Sequence, residues 1–364
     1  MTRGAVMYNF FEPLKVESLT VNPPREDEVV VKLAASGVCH TDLSVVEAKL
    51  PVPPPVVLGH EGAGVVEEVG KAVTDLKPGD HVVLSWVQNC GRCPYCISGR
   101  HHLCDAGPRS MLEGQENVFE KDGMAIARMA GVASFAERTV VRATAAIKIP
   151  DDVPLDRACL VGCGVMTGVG AAINTVKIRP GETAAVFGCG GVGLNVIQGA
   201  ALCSPSRIIA VDMLPQKLEM AKLFGATDTI AVKDVADVPE AIRSLTGGLG
   251  VDYAFEASGV TEVIAQSFLS VKRGGTAVVV GVPGFDQMAS IPAAMMALEE
   301  KGVVGSLYGS ANMRRDMPRL IELYMRKKLK IDELISRRIT LDEINAAFDA
   351  IKQGEVARSV IVYQ

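Results

Sequence analysis

Cys90, Cys93, Cys96 and Cys104 read as C-x-x-C-x-x-C and then, after a seven-residue gap, a fourth cysteine, which is ligand spacing for a closed thiolate metal site. Two-residue gaps let consecutive thiolates turn back onto one tetrahedral ion, so a lobe with little apolar core of its own can be pinned by a structural zinc. Disulfides are the alternative for such a cluster, but nothing else in the chain points to an oxidising compartment. Five further cysteines, Cys39, Cys159, Cys163, Cys189 and Cys203, are scattered, and the odd total of nine suits a reducing cytosol with metal-bound and buried thiols.

Three other fragments carry potential ligands far apart in sequence: Gly37-Val-Cys39-His40-Thr41-Asp42, Gly59-His60-Glu61-Gly62-Ala-Gly64 and Leu160-Val-Gly162-Cys163-Gly164. A Cys, a His and a second Cys can give one zinc three protein ligands and leave a fourth position open, as a catalytic site requires. Singly, each has a plainer reading: Cys163 as a small buried hydrophobe, His60 as a satisfied turn histidine.

Gly188-Cys-Gly190-Gly191-Val192-Gly193 lies between an apolar strand pattern, Ala184 to Phe187, and a helical one, Leu194 to Leu202. In that setting the first glycine of G-x-G-x-x-G makes the turn, the second lets backbone approach a pyrophosphate, and the third lets helix pack on strand. Asp212 ends the next strand about twenty residues on, where a carboxylate accepts hydrogen bonds from an adenosine ribose and repels a 2′-phosphate, so NAD(H) is expected over NADP(H). Lys217, one turn into the following helix, is placed to add a donor to that ribose. The plainer alternatives are a structural glycine turn and a solvated helix-face lysine.

A chain of 364 residues exceeds what one core normally supports, so two domains are expected to position these groups. Residues 1 to about 150 are rich in short β-branched runs, such as Glu28-Val-Val-Val-Lys-Leu and Gly64-Val-Val-Glu-Glu-Val, broken by Gly and Pro, and read as mostly β. Val52-Pro-Pro-Pro-Val can be neither helix interior nor central strand, so it reads as a connection. From about residue 165 apolar strands such as Arg207-Ile-Ile-Ala-Val-Asp alternate with helical stretches such as Pro215 to Phe224, the texture of a parallel sheet covered on both faces. After about 305 helix and short strand return. A net charge of −5 and a pI of about 5.7 give no argument for nucleic acid or anionic membrane. No apolar run is long enough to cross a bilayer, and the start MTRGAVMYNFFEPLKVE does not read as a secretory signal, so a cytoplasmic protein is expected.

In order and over essentially the whole chain, these motifs resemble the zinc-dependent alcohol dehydrogenases of the medium-chain dehydrogenase/reductase superfamily, in their longer form. The resemblance implies an α/β fold in which a GroES-like β-rich catalytic domain (1–165, with the zinc lobe 90–104) is interrupted by a Rossmann domain (166–305) and resumes over 306–364. It implies two zincs per chain: a catalytic one on Cys39, His60 and Cys163, and a structural one on Cys90, Cys93, Cys96 and Cys104. Glu61 then becomes the acidic neighbour of the catalytic ion, and Thr41 the hydroxyl that takes the substrate proton. His40 and Arg358 are placed near the cofactor pyrophosphate, Thr167 and Val192 around the nicotinamide, and Trp86 on a wall of the substrate pocket. The long segment between Cys104 and Phe135 resembles that of the dimeric members, so a homodimer acting on a small alcohol or aldehyde is expected.

Zinc would hold the alcohol oxygen and stabilise its negative charge, which makes the carbon a competent hydride donor to NAD. One departure stands out: where many members place a relay histidine three residues after the Thr or Ser, this chain has Ser44, which is no base at neutral pH. His101 and His102, inside the zinc lobe, read as surface residues. Three rival readings remain. A thiol-dependent formaldehyde dehydrogenase shares these motifs; another member type retains NAD(H) through the cycle and passes electrons to a separate acceptor; and a non-enzymatic member would keep the fold but lose a catalytic ligand, whereas all three ligands are present.

Overall fold

The computed structural model describes residues 1–107, 116–354 and 357–364. The chain divides into two compact units, one formed by Met1–Cys163 with Asn312–Gln364 and the other by Gly164–Ala311.

The first unit is built from β-branched strands. Thr2–Met7, Lys15–Val21, Asn117–Lys121, Met124–Arg128 and the two-residue strand Val56–Val57 close into a barrel. Val56–Val57 is all that the triple-proline segment contributes, since proline cannot donate to a ladder. A second, seven-stranded sheet centres on Glu28–Val38, flanked by Glu61–Val69 on one side and by Arg358–Val362 on the other. The returning strand Arg358–Val362 runs antiparallel to Glu28–Val38, with Ser359 opposite Val38, so the C-terminal segment ends beside the residues that lead into Cys39.

The second unit is a six-stranded parallel sheet in the spatial order Asp228–Ala231, Arg207–Asp212, Thr183–Phe187, Val251–Glu256, Val271–Val279, Gly302–Gly305. Numbered along the chain this is 3-2-1-4-5-6, the doubly wound order whose reversal point lies between Thr183–Phe187 and Val251–Glu256. Ala185, Phe187, Ile209, Val211 and Ala254 are buried in one core cluster with Val238 and Ile242 of the helix Val238–Leu245. The helix after the glycine run is Gly191–Ala201, beginning three residues before the first apolar residue of the pattern, because its first turn is the glycine run itself.

The second unit ends at Ala311 rather than near 305. Asn174 donates to the Gly309 carbonyl (3.2 Å) and the Thr175 hydroxyl bonds those of Ser306 (2.9 Å) and Ser310 (2.8 Å), which keeps this stretch with the parallel-sheet unit. Among the described residues no single helix is long and apolar enough to cross a membrane.

Candidate functional site

Strand pairing in the first unit brings the scattered ligands together. Gly37 stands opposite Glu61 across the ladder, so Cys39, just past the end of one strand, and His60, just before the start of the other, fall at the same edge. Cys163 follows the short 3-10 segment Cys159–Gly162. One ligand atom each from Cys39, His60, Glu61 and Cys163 all lie within 4.8 Å of one another, and His60 and Glu61 are fully buried.

Asp42 organises this edge. Its Oδ2 accepts the Cys39 N–H (3.2 Å), which starts the helix His40–Val46, and its Oδ1 accepts the Gly59 N–H (3.1 Å) and lies 2.9 Å from His60 Nδ1. With Nδ1 turned to a carboxylate, Nε2 is left as the ligand atom, and it is buried with no hydrogen-bond partner. An orphaned imidazole nitrogen costs free energy unless something coordinates it, and a carboxylate behind a histidine is the support found at metal sites. The residues therefore fit a metal ion. Burial works against a charged His60, but Asp42 and then Cys39 outweigh it and raise its pKa to about 10. Hydrogen bonding to Cys163, opposed by burial and aided by His60, holds Cys39 well below the usual thiol range. A cation entering this cluster displaces protons from it.

Glu61 is paired with the buried Arg358 guanidinium. A Cβ on Gly37 would lie 2.1 Å from Glu61 Oε2, so only glycine leaves room for the carboxylate to cross the ladder toward Arg358. Arg358, expected at the cofactor pyrophosphate, is thus held against the acidic neighbour of the metal ligands. Thr41 is half-buried, its Oγ1 3.6 Å from Cys39 Sγ; Ser44 is half-buried one turn on, and His40 is exposed. Trp86 is buried just beyond the strand His81–Leu84.

The four clustered cysteines form a second group, again with all sulphurs within 4.8 Å and no disulfide. Backbone N–H groups point inward: Cys90 N donates to Cys104 Sγ (3.2 Å), Cys93 N to Cys90 Sγ (3.3 Å) and Cys96 N to Cys93 Sγ (3.5 Å). Backbone donors from Asp105 and Cys96 bring Cys93 down to about 6, while burial pushes Cys96 up to about 12. Four thiols so close cannot all ionise without a cation, and with one they form the closed tetrahedral set expected of structural zinc. His102 is buried rather than on the surface, because the 3-10 turn His101–Leu103 folds inward just ahead of Cys104; His101 is half-buried.

In the parallel-sheet unit Gly188 has φ of 87° at the strand end and Gly190 caps the helix Gly191–Ala201. A Cβ on Gly193 would lie 1.8 Å from the Gly188 carbonyl, whereas one on Gly190 would meet nothing within 4 Å. The middle glycine is thus open on the side where a phosphate would approach, and the residues fit a dinucleotide. Asp212 also braces the turn: Oδ2 accepts the Cys189 N–H (2.7 Å) and Oδ1 the Leu214 N–H (2.9 Å). Lys217, Gly191, Val192 and Thr167 are half-buried in the same unit.

Sequence reading passed over Asp42 as a supporting group, although it closes the motif that contains Cys39; its signal was a carboxylate one helical turn beyond a candidate ligand.

Two family models match the chain. Residues 25–151 match the alcohol dehydrogenase GroES-like domain and residues 191–326 the zinc-binding dehydrogenase domain. The chain is 39% identical to an NDMA-dependent alcohol dehydrogenase of Amycolatopsis methanolica, over 100% of this chain and 99% of the relative. It is 40% identical to the class-3 alcohol dehydrogenase of Drosophila melanogaster, over 99% and 97% respectively. Among solved structures, benzyl alcohol dehydrogenase from Acinetobacter calcoaceticus superposes with a TM-score of 0.94 at 34% identity, covering 100% of this chain and 99% of that one. The ligand geometry, the doubly wound sheet and these full-length likenesses lead to one conclusion: the chain is an oxidoreductase belonging to the zinc-type alcohol dehydrogenases of the medium-chain dehydrogenase/reductase superfamily.

Proposed function

We propose that this enzyme interconverts an alcohol and its aldehyde or ketone with NAD(H), using one zinc on Cys39, His60 and Cys163 and a second, structural zinc on Cys90, Cys93, Cys96 and Cys104. The observation that carries the reading is the buried, unpartnered Nε2 of His60, braced by Asp42 and flanked by two cysteine sulphurs. When bound, the zinc supplies Lewis acidity at the hydroxyl oxygen, and oxidised nicotinamide supplies the hydride acceptor.

Everything else falls to the chain. Cys39 and Cys163 as thiolates and His60 as a neutral imidazole would hold the ion and lower its net positive charge. Thr41, beside Cys39, takes the substrate hydroxyl proton while passing its own outward, and the half-buried Ser44 gives that proton a route but no base. Arg358 balances the charge of Glu61 at the same edge. Asp212 accepts from the adenosine ribose through lone pairs not used by Cys189 and Leu214, and its charge selects against a 2′-phosphate. Trp86 walls an apolar substrate pocket. A homodimer is supported by the open sheet edge Gly302–Gly305 and the exposed Val304, Leu298, Phe285 and Met288 in the same unit.

The NDMA-dependent relative favours a second reading, in which NAD(H) stays bound and is re-oxidised in place by an external acceptor. The class-3 relative keeps open a thiol adduct of formaldehyde as substrate. One experiment separates the three: aliphatic, terpenoid and aromatic alcohols assayed with NAD alone, with NDMA and no added NAD, and, for formaldehyde, with glutathione. Turnover with free NAD supports the first reading. Turnover with NDMA only, together with NAD(H) released on denaturation, replaces it by the second, and activity confined to formaldehyde with glutathione replaces it by the third.

A further inference from the structure

The backbone around His60 has a support of its own, separate from Asp42. Ser134, with no accessible surface, donates its N–H to the Gly59 carbonyl (2.9 Å), and Phe135 donates to the Leu58 carbonyl (3.0 Å), so these two residues lie along the stretch that leads into His60. The approach is close: a Cβ on Gly59, where φ is 89°, would lie 2.7 Å from Ser134 Oγ, and one on Gly62 would lie 3.0 Å from Ser134 Cβ. The Ser134 hydroxyl is 2.7 Å from that of Ser36, which stands opposite Gly62 in the ladder. Ser134 therefore meets the chain on both sides of His60.

The segment that delivers Ser134 is strained. Ala130, Gly131 and Ala133 have positive φ (54°, 65° and 52°), and the two alanines are fully buried. Left-handed residues that carry a Cβ persist only where the surrounding bonds over-determine them. One such bond comes from far along the chain: the Tyr363 hydroxyl donates to the Ser134 carbonyl (2.6 Å), while the Tyr363 N–H is fixed on the Ala34 carbonyl (3.0 Å). Burial, and then the charge of Glu137, holds the phenol well above its ordinary pKa, so the hydroxyl remains a donor. The strand Arg358–Val362 thus brings two groups to the metal edge, Arg358 on Glu61 at its start and Tyr363 on Ser134 just past its end.

We propose that Tyr363 is a positioning residue for the metal ligand His60, acting through the Ser134 backbone. Asp42 orients the His60 ring, and Tyr363 fixes the backbone that carries it. This rests on the reading of Cys39, His60 and Cys163 as zinc ligands.

The test is chelator competition on the zinc-loaded enzyme, reading the two sites separately, together with the d–d absorption of cobalt(II) placed in the Cys39, His60 and Cys163 site. Tyr363→Phe removes only the hydroxyl, and circular dichroism checks its fold. The expected result is a zinc Kd raised about fivefold at that site, with shifted cobalt bands and an unchanged four-cysteine site. Ser134→Ala, which keeps the carbonyl but removes the hydroxyl beside Gly59, is expected to loosen the same site selectively. Tyr324→Phe, which removes another phenol bond of the same unit, to Asp332 (3.0 Å), is expected to move neither site. The proposal is overturned if Tyr363→Phe leaves zinc affinity and cobalt bands as in wild type, whatever happens to its melting temperature, or loosens both sites equally. It is overturned too if Ser134→Ala leaves the His60 site untouched or Tyr324→Phe reproduces the effect. A wild-type enzyme that takes zinc only at the four cysteines defeats the ligand reading first, and this proposal with it.

Discussion

Two alanine substitutions three residues apart should have opposite consequences if Gly188 to Gly193 cradles a pyrophosphate. At Gly190 the backbone is in the ordinary extended region (φ −78°, ψ −169°) and an added Cβ would touch nothing within 4 Å. Gly190→Ala is therefore expected to leave the melting midpoint unchanged or to raise it, since alanine narrows the unfolded ensemble by about 0.4–1 kcal/mol where its conformation is already allowed. The methyl nevertheless occupies the space through which a phosphate reaches the first-turn N–H groups, so NAD(H) affinity should fall by at least about a hundredfold, 2.7 kcal/mol. At Gly193 the added Cβ would lie 1.8 Å from the Gly188 carbonyl, well inside van der Waals contact, so helix and strand must separate. Overpacking of that kind costs about 1–3 kcal/mol or more, and Gly193→Ala should melt earlier even without cofactor. Differential scanning calorimetry of the cofactor-free proteins, followed by NADH fluorescence titration, reads both effects. Gly190→Ala that is destabilised, or that binds NADH like wild type, would refute the assignment of this loop to the phosphates.

Cys93→Ser should leave one zinc per chain instead of two by elemental analysis and lower stability, since three thiolates no longer close the site; unchanged metal content and stability would contradict a structural site. Asp42→Asn leaves a donor facing the Cys39 N–H or the His60 Nδ1–H, and should weaken the catalytic site by about 10–100-fold in a chelator competition while the four-cysteine site is unaffected; equal zinc retention at both sites would remove Asp42 from its supporting role. Asp212→Gly should weaken NAD(H) and relax the bias against NADP(H), and because Cys189 and Leu214 also lose an acceptor, both cofactors should bind less tightly than NAD(H) does to wild type; a wild-type enzyme indifferent to the 2′-phosphate would defeat this reading. Thr41→Ala should remove most alcohol oxidation at neutral pH with zinc and NAD binding intact, and Ser44→His should maintain or raise activity, since an imidazole with an ordinary pKa near ~6.5 adds a base; near-normal turnover by Thr41→Ala would mean that water deprotonates the alcohol directly.

The sequence by itself was sufficient wherever the chemistry is local. Four cysteines spanning residues 90 to 104 can reach one ion because their spacing is short, and they converge in the structure. The run Gly188 to Gly193 carries its strand, turn and helix with it, and Pro215–Phe224 is the helix its pattern predicts. What separates along the chain was decided by tertiary structure. Cys39, His60 and Cys163 are individually ordinary and become a site only because a ladder aligns Gly37 with Glu61. Asp42 behind His60, and Arg358 on Glu61 across 297 residues of chain, depend on register that no periodicity encodes. His102 is polar by type yet buried by the turn that carries it, and Glu256 ends an apolar strand where nothing in its neighbours foretells an unpartnered oxygen. Local spacing restricts where a short segment's atoms can go, whereas a side chain's partner and its exposure to water depend on which distant strands pack beside it, and only the folded chain brings those together.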